Sequence, residues 1–359
     1  MERSNLLHAF DSGWISSSGE FVTAFEEKFA EFCECKHAVA VSNGTVALHL
    51  ALRACGVGAG DEVIIPDLSF IATANAVLEC GARPVFADIE ADTLCLDAAD
   101  VARLVTSRTR AIMPVHLYGH PADMDAINVV AKRHGLIVIE DAAEAHGARA
   151  YGRRVGGLGD CAAFSFFGNK ILTTGEGGMI TTNDDALAAR CRTLRDHAMS
   201  KEKRYWHNEP GYNYRITNMQ AGVGCAQLDR AGELLRRRSD IFAWYTKHLA
   251  GVNGISLNRR GAWAEPCFWM VCAEFSPIAE GARDRLILSL RERGVDTRPY
   301  FYPMSDMPYF KAAPTKVAHS VYSRGVNLPT YFDLSEQDVR KIAGIVKSVW
   351  ADLATEAEA

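Results

Sequence analysis

The sequence predicts an α/β fold in which a large domain with a mostly parallel sheet precedes a smaller α+β domain. From about residue 38, short runs rich in β-branched residues alternate with stretches of helical periodicity, which is typical of a parallel sheet covered by helices. The run LIVI at residues 136–139 is apolar without interruption, as in strands buried on both faces. The length of 359 residues exceeds that of one ordinary domain.

The predicted elements of the large domain alternate in regular order. Strands are predicted at residues 37–42, 61–66, 83–89, 110–119 and 136–141, with helices at 44–56, 69–81, 97–106 and 123–135. A glycine-rich connection at residues 142–160 then interrupts the alternation, and further strands follow at 161–167 and 177–183. Long irregular loops inside compact domains are often functional.

The second domain is expected to begin near residue 235. A helical stretch at 221–250 is predicted to bridge the two parts of the chain. It is followed by an alternating strand at 267–275, a helix around 280–293 and an amphipathic helix at 335–350. The sequence therefore predicts a large domain over residues 1–235 and a small C-terminal domain over residues 236–359.

Composition and charge exclude several classes of protein. Hydrophobic residues make up 48% and charged residues 23% of the chain, and the net charge is −5, from 39 basic and 44 acidic residues. The basic runs at 201–204 and 236–238 are short, and we expect both to be solvated surface. This pattern predicts no binding of nucleic acid or of a membrane.

The cysteines and the N-terminus predict a cytoplasmic location. Ten cysteines are present, and none of them form a C-x-x-C pair, so they are expected to be reduced thiols and not a disulfide framework or a metal site. The first residues lack the apolar segment of a signal peptide, and no stretch has the length of a membrane span. We expect a soluble cytoplasmic protein without a metal.

Four features lie at strand ends or helix starts, where open α/β sheets bind ligands. The turn SNGT at residues 42–45 leaves backbone amides at a helix start, which favours a phosphate. Asp141 follows a buried strand, Phe70 lies near a helix start, and Lys170 follows the apolar strand that carries Ser165. Each feature alone also has a structural explanation. The SNGT turn can be a helix cap, Asp141 can cap a turn, Phe70 can be a core residue, and Lys170 can lie at a solvated strand end.

Taken together, the four features predict one ligand that is flat, phosphorylated, reactive toward an amine and stabilised by a neighbouring acid. Pyridoxal phosphate has all four properties, and its enzymes pair a covalently bound lysine with an acid at the ring nitrogen. Since burying an ammonium group is costly, a lysine at the end of a core strand is consistent with an amine that works uncharged. A nucleotide-binding P-loop is excluded because the lysine in GNKILTTGEGG precedes the glycines.

The motifs along the chain resemble those of the DegT/DnrJ/EryC1/StrS sugar aminotransferases. The resemblance covers nearly the whole chain in the family's order, and it is carried by SNGTVALHLAL, IEDAAEAHGA, FSFFGNKILTTGEGGMITTND and GYNYRITNMQAGVGCAQL, among other segments. It implies a pyridoxal-phosphate-dependent transferase of fold type I, the aspartate aminotransferase fold, whose cofactor alternates between pyridoxal and pyridoxamine phosphate.

Residue by residue, the resemblance implies two catalytic side chains and a phosphate site. Lys170 would bind the cofactor covalently, and Asp141 would face the pyridinium nitrogen. Gly44 and Thr45, through helix-start amides, and the hydroxyl of Ser165 would hold the phosphate.

The resemblance also implies contacts around the ring and across a subunit boundary. Phe70 takes the place of the aromatic residue that stacks on the ring, and Glu144 that of a residue close to the phenolic oxygen. Asn213 matches a residue that reaches the phosphate from the neighbouring subunit, which implies a homodimer with shared active sites. Arg215, from its charge and position, is a candidate for the carboxylate of the amino donor, and Trp14 and Ser16 are candidates for substrate contacts.

The expected reaction moves an amino group from L-glutamate to a nucleotide-linked sugar. The segments SFFGNK, EKRYWH and TRPYFYPM look most like members that convert GDP-4-keto-6-deoxy-D-mannose to GDP-perosamine for O-antigen biosynthesis. Such members usually carry histidine at the position of Ser305, and their lead-in before DSGW is longer. The alternatives are amination of another UDP- or dTDP-linked keto sugar at C3 or C4, a sugar dehydratase, or a non-catalytic regulator. Dehydratases usually carry histidine at the position of Lys170.

Overall fold

The computed structural model describes residues 1–279 and 281–358, with side chains described through Leu353. Its helices are α1 Glu2–Asp11, α2 Glu20–Phe32, α3 Gly44–Ala54, α4 Ala72–Glu79, α5 Ala98–Leu104, α6 Met124–His134, α7 Asp185–Arg195, α8 Asn218–Asp229, α9 Ala231–Leu249, α10 Ala282–Glu292, α11 Lys316–Tyr322 and α12 Glu336–Glu358. Its strands are β1 His37–Val41, β2 Glu62–Pro66, β3 Arg83–Ala87, β4 Thr109–Ile112, β5 Ile137–Asp141, β6 Arg149–Ala150, β7 Arg153–Arg154, β8 Cys161–Ser165, β9 Gly178–Thr182, β10 Ile255–Leu257, β11 Ala264–Glu265, β12 Val271–Phe275, β13 Arg298–Pro299 and β14 Gly325–Leu328.

The large sheet has seven strands in the order β1-β9-β8-β5-β4-β2-β3. Strands β3, β2, β4, β5 and β8 pair in parallel, whereas β9 pairs antiparallel with both β8 and β1. The predicted α/β class with a mostly parallel sheet is confirmed. Because β5 and β8 are neighbours and run in the same direction, their carboxyl ends, which carry Asp141 and Ser165, meet at one edge.

Both faces of the large sheet are covered. Alternate residues of β8 enter different cores: Phe164 packs with Phe25 and Phe29 of α2, whereas Ala163 lies in the core that contains Leu48 of α3. All five residues of β8 are therefore buried, as the apolar sequence of this strand predicts.

The C-terminal part of the chain forms a second, antiparallel sheet in the order β10-β12-β14-β13. Helices α9 and α12 pack together beside it, and their core includes Tyr245 and Trp350. The boundary at residues 235/236 falls inside α9, whose Leu234 packs in the core of the large sheet and whose Ile241 packs in the C-terminal core. The domain limits stay a prediction, and residues 280 and 359 lie outside the described residues.

Several predicted elements were wrong in extent. The strand expected at 110–119 ends at Ile112, because Pro114 has no amide proton to donate and Tyr118 adopts a left-handed conformation at φ +53°. The strand expected at 267–275 begins at Val271, since Phe268 is also left-handed at φ +49°. The helical stretch at 221–250 is two helices, α8 and α9, that meet at Arg230, whose φ of −106° is not helical.

The second basic run was also interpreted wrongly. Arg236 is exposed, but Arg237 donates to the carbonyl oxygens of Phe332 and Leu334 at 2.8 and 3.0 Å. Arg238 is half-buried. Two of the three side chains thus point inward from α9 because this helix packs against other parts of the chain. Within the described residues, no helix combines the length and the apolar character needed to cross a bilayer.

Candidate active site

Lys170 lies in the turn that follows β8. Its amide nitrogen donates to the carbonyl oxygen of Phe167 at 2.9 Å. Its Nζ lies 3.7 Å from Oε1 of Glu144 and 3.8 Å from the centroid of the Trp269 ring, and its side chain is 11% exposed. The amine is therefore held between a carboxyl group and an aromatic face.

Burial changes the protonation of this pair. Burial lowers the pKa of Lys170, although the charges of Glu144 and Asp141 oppose the shift. Burial also raises the pKa of Glu144 to about 7, against the effects of the Lys170 charge and of the Tyr118 amide, which donates to Oε2 at 2.8 Å. Both shifts favour uncharged groups, so the lysine approaches the neutral form that a nucleophile or proton acceptor needs.

Asp141 is the last residue of β5 and is buried. Its Oδ2 accepts a hydrogen bond from the Thr73 hydroxyl at 2.8 Å, and its Oδ1 accepts one from the amide of Ala143 at 3.2 Å. Burial raises the pKa of Asp141, while these two hydrogen bonds and the charge of Lys170 act in the opposite direction. Within the described residues, no arginine or lysine is hydrogen-bonded to this carboxylate, which leaves it available to a ligand.

Helix α3 begins directly against the end of β8. Asn43 caps the helix by accepting a hydrogen bond from the amide of Val46 at 3.0 Å. Gly44 approaches the strand so closely that a Cβ atom would lie 2.7 Å from the Cβ of Ser165. The first-turn amides, including that of Thr45, have no acceptor within the helix. The result is a narrow junction where a hydroxyl group lies beside a helix N-terminus that favours an anion.

These parts fit pyridoxal phosphate. Any side chain at position 44 would fill this junction. Because residue 44 is glycine, room remains for a phosphate beside Ser165. Asp141 is a buried acid free to pair with a ring nitrogen, and Lys170 is an amine with a lowered pKa. A flat, phosphorylated and protonatable ligand matches this donor set.

Phe70 lies just before α4 and presents its ring to the outside. The ring is 56% exposed, and its centroid lies 5.8 Å from that of Phe301 at an angle of 57°. Phe301 in turn stacks on Tyr118 at 5.2 Å, and its amide donates to the Tyr118 hydroxyl at 2.8 Å. Phe301 therefore packs against one side of the Phe70 ring, and the exposed side is free to contact a ligand.

Among the described residues, no hydrogen bond or ion pair joins Asn213 or Arg215 to Lys170, Asp141 or Ser165. Asn213 is exposed on the segment before α8. The guanidinium of Arg215 pairs with the carboxylate of Asp196, and its Nε is buried without a partner among the described residues. The charge of Arg215 is thus already balanced within this chain.

Trp14 and Ser16 are exposed at the segment between α1 and α2. The carbonyl oxygen of Trp14 accepts from Nδ2 of Asn218 at 2.8 Å, and that of Ser16 accepts from the Asn218 amide at 2.6 Å. Among the described residues, no hydrogen bond, ion pair or ring contact joins Trp14 or Ser16 to Lys170. The single chain does not assemble these side chains with the rest of the site.

Three residues that shape the site are not predicted from the sequence. Trp269 lies under the amine of Lys170 and donates from Nε1 to the carbonyl oxygen of Asn169 at 2.9 Å. Thr73 holds Asp141, and Tyr118 holds Glu144 through its amide. The sequence carries no signal for these contacts, because each joins segments that are far apart along the chain.

A buried acid orders the glycine-rich connection. Glu140 accepts hydrogen bonds from the amides of Gly156, Leu158 and Gly159 at 2.7–2.9 Å, and from Nε2 of His116 at 3.0 Å. The amide of Ala122 donates to Nδ1 of His116 at 2.9 Å, which leaves the proton on Nε2. These bonds tie residues 156–159 of the connection to the strand that ends in Asp141, whereas Glu144, near the start of the connection, lies in the site.

Comparison with known proteins identifies the family. The DegT/DnrJ/EryC1/StrS aminotransferase family matches residues 1–347. GDP-perosamine synthase from Caulobacter vibrioides is 49% identical over 352 residues, with coverage of 97% of this chain and 95% of the relative. The dTDP-3-amino-3,4,6-trideoxy-alpha-D-glucose transaminase of Streptomyces venezuelae is 43% identical over 297 residues, or 82% of this chain and 76% of the relative.

A solved structure has the same fold. DesV from S. venezuelae, crystallised in complex with a ketimine intermediate, is 38% identical with a TM-score of 0.91, and the match covers 97% of this chain and 94% of DesV. The resemblance deduced from the motifs is confirmed, as are fold type and cofactor. The chain belongs to the DegT/DnrJ/EryC1/StrS family and is a pyridoxal-phosphate-dependent sugar aminotransferase.

Proposed function

We propose that this enzyme transfers the amino group of L-glutamate to the C4 ketone of GDP-4-keto-6-deoxy-D-mannose and forms GDP-perosamine. The observation that carries the sugar assignment is the 49% identity to a GDP-perosamine synthase over 97% of the chain. The amino transfer itself is supported by the buried amine of Lys170 beside Glu144 and Asp141.

The cofactor would be held by the residues at the carboxyl edge of the large sheet. Its phosphate would be bound by Ser165 and the amides of Gly44 and Thr45, its ring nitrogen by Asp141, and its ring face by Phe70. Glu144 would lie near the phenolic oxygen. When bound, pyridoxal phosphate supplies an electron sink that stabilises a carbanion at the substrate carbon.

Lys170 would move the proton in both halves of the reaction. Its lowered pKa allows the released amine to accept a proton from the donor carbon and to return one to the acceptor. Glu144, whose pKa of about 7 lies near neutrality, can exchange a proton with that amine across 3.7 Å. The Trp269 ring keeps the amine in place and excludes water from one side.

Exposed cations and aromatic rings on the segment before α8 would contact the nucleotide. Lys203 lies 4.1 Å above the ring of Trp206, and Arg204 lies 4.9 Å from that of Tyr205. The rings of Tyr205 and Trp206 are 75% and 52% exposed. Such a surface offers stacking to a base and charge to a diphosphate. Trp14, Ser16 and Arg215 stay candidates for sugar and donor contacts.

We also propose that the active enzyme is a cytoplasmic homodimer with shared sites. Asn213, expected to reach a phosphate, is exposed in the single chain. Large apolar side chains near the N-terminus are also open, with Phe10 and Trp14 each 62% exposed. A second copy that covers this surface would bring Asn213 to the neighbouring site.

Amination at C3 of a dTDP-linked sugar is the second candidate. It is favoured by the 43% identity to a transaminase that is named for a 3-amino sugar. A dehydratase or a non-catalytic regulator is less well supported, because Lys170, Asp141 and the glycine junction at Gly44 are all present.

The proposal is tested by spectral titration of the purified protein. With pyridoxal phosphate bound, we expect a visible absorbance band that borohydride abolishes, and loss of the covalent link in Lys170→Ala. Asp141→Asn should keep the cofactor but lose most turnover, because only the charged acid keeps the ring nitrogen protonated.

Glutamate should bleach the band, and among GDP-, UDP- and dTDP-linked keto sugars the GDP-linked 4-ketone should restore it best. Restoration by a dTDP-linked 3-ketone alone would support the second candidate, and a protein that takes up no cofactor would refute both.

A further inference from the structure

A cavity of about 430 Å³ borders the turn that carries Lys170. Its walls come from that turn, from α8 and α9, and from residues 330–332. Three of the lining residues are basic: Lys170, Arg230 and Arg238. Among the described residues, no aspartate or glutamate lines it, so the charge facing this space is positive.

The two arginines of the cavity differ in how their charge is balanced. Arg230 pairs with Glu2 at 2.9 Å and with Glu233 at 3.0 Å. Arg238 has one hydrogen-bond partner within the described part of the chain, the carbonyl oxygen of Trp269 at 3.5 Å. No carboxylate of the described residues forms an ion pair with Arg238.

Arg238 keeps its charge despite burial. Burial lowers the pKa of Arg238 to about 10, which still leaves the guanidinium protonated at neutral pH. A guanidinium presents five donors in a planar fork, and the long contact to Trp269 satisfies at most one of them. Such a group is suited to an anion that enters the cavity.

We propose that Arg238 binds a carboxylate of the amino donor in this cavity. The inference rests on the proposed function, because it takes glutamate as the donor. The same cavity is bordered by Lys170, so one small molecule can approach both residues. Glutamate has two carboxylates, and Arg238, unlike Arg215 with its partner Asp196, has no acid to displace.

A carboxylate fits this place better than the diphosphate of the nucleotide sugar. One unpaired guanidinium balances a single negative charge, and apolar side chains such as Leu234 and Met270 line the same cavity. A diphosphate would require more charge and more exposed donors. The exposed cations Lys203 and Arg204 offer these elsewhere.

The test compares binding and kinetics of holoenzyme variants. Glutarate, a dicarboxylate without an amino group, serves as the probe in titration calorimetry, and KM values are measured for glutamate and for the keto sugar. Arg238→Gln should raise the glutarate Kd and the glutamate KM about tenfold or more, with the sugar KM changed less than about twofold. Arg238→Lys should lie between, because an ammonium group lacks the two-pronged contact. Arg236→Gln, the exposed neighbour, should match the wild type.

The outcomes separate this site from the proposed function. An unchanged glutarate Kd in Arg238→Gln would overturn the site, and so would a rise in the sugar KM with an unchanged glutamate KM, which would assign Arg238 to the phosphates. If Arg238→Gln takes up no cofactor, Arg238→Lys decides by the same glutarate measurement. If glutarate binding depends on Arg238 but glutamate aminates no keto sugar, the function fails and the site stands.

Discussion

At the scale of single residues, the amine of Lys170 shares its buried position with two carboxyl groups. Glu144 and Asp141 are both buried, and burial raises the pKa of each. A charged lysine beside two charged acids would be a costly arrangement in a site with little water. The shifts in pKa relieve this cost because they bring the three groups closer to neutrality.

The raised pKa of Glu144 predicts how stability depends on pH. The pKa is about 7 in the folded protein, against 4.5 as its ordinary value, so the folded state holds a proton that the unfolded state releases. Cofactor-free wild type should therefore lose stability relative to Glu144→Gln as the pH rises from about 4.5 to 7. The loss should be at most about 3 kcal/mol, since one pH unit corresponds to about 1.4 kcal/mol.

Urea denaturation at several pH values measures this difference. Glu31→Gln, at an exposed position of α2, is the control and should give a curve parallel to that of the wild type. If the Glu144→Gln curve is also parallel to that of the wild type, the carboxyl group of Glu144 is ionised at pH 5 and its pKa is not raised.

The positions of individual residues could be predicted from the sequence where a residue lies at the end of a strand. The apolar run of β8 predicts that Lys170 leaves the core at the edge of the sheet, and the run of β5 does the same for Asp141. The partners Thr73, Trp269 and Tyr118 could not be predicted, because their contacts depend on how distant segments pack.

At the scale of elements, Asp67 joins the end of β2 to the C-terminal part of the chain. Its carboxylate accepts hydrogen bonds from the amide and hydroxyl of Ser305 at 2.7 and 2.8 Å, and from the hydroxyl of Thr315. Its backbone oxygen accepts from Met304 at 2.7 Å. Ser305 is therefore a buried structural contact beside the segment that carries Phe301.

Removal of this carboxylate should destabilise the protein measurably. Asp67→Ala leaves the Ser305 amide and two hydroxyl groups buried without an acceptor, so we expect a loss of about 3 kcal/mol in the free energy of unfolding. Ser305→Ala removes only one donor and should cost about 1 kcal/mol. Urea denaturation at neutral pH gives both values. Equal values for the two variants would contradict the role of Asp67 as the shared acceptor.

At the scale of the whole molecule, the single chain leaves part of the proposed site incomplete. The residues around Lys170 assemble within one chain, whereas the side chain of Asn213 is exposed. A homodimer in which each copy lends Asn213 to the other would complete both sites.

Mixed dimers test this arrangement. Lys170→Ala and Asn213→Ala should each be nearly inactive alone, but co-expression should restore up to about a quarter of wild-type activity, because half of the dimers then have one intact site of two. Lys170→Ala mixed with Asp141→Asn is the control and should recover nothing, because both residues belong to the same site in the same chain. Equal recovery of activity in the two mixtures would refute shared sites. So would the absence of activity in purified mixed dimers of Lys170→Ala and Asn213→Ala.

The fold class, the family and the residues at the strand ends follow from the amino-acid sequence alone. The order of apolar strands and helices specifies a covered parallel sheet, and the carboxyl ends of neighbouring parallel strands must meet at one edge. Asp141, Ser165 and Lys170 could be assigned to one place for this reason.

The neighbours that adjust the pKa values and positions of these residues depend on tertiary packing. The ring of Trp269 reaches Lys170 because Phe268 turns into a left-handed conformation just before β12. Arg238 looked like part of a solvated basic run, yet α9 packs so that it turns toward the cavity beside Lys170. Both placements depend on packing between segments about 70 to 100 residues apart, a distance over which local sequence patterns carry no information.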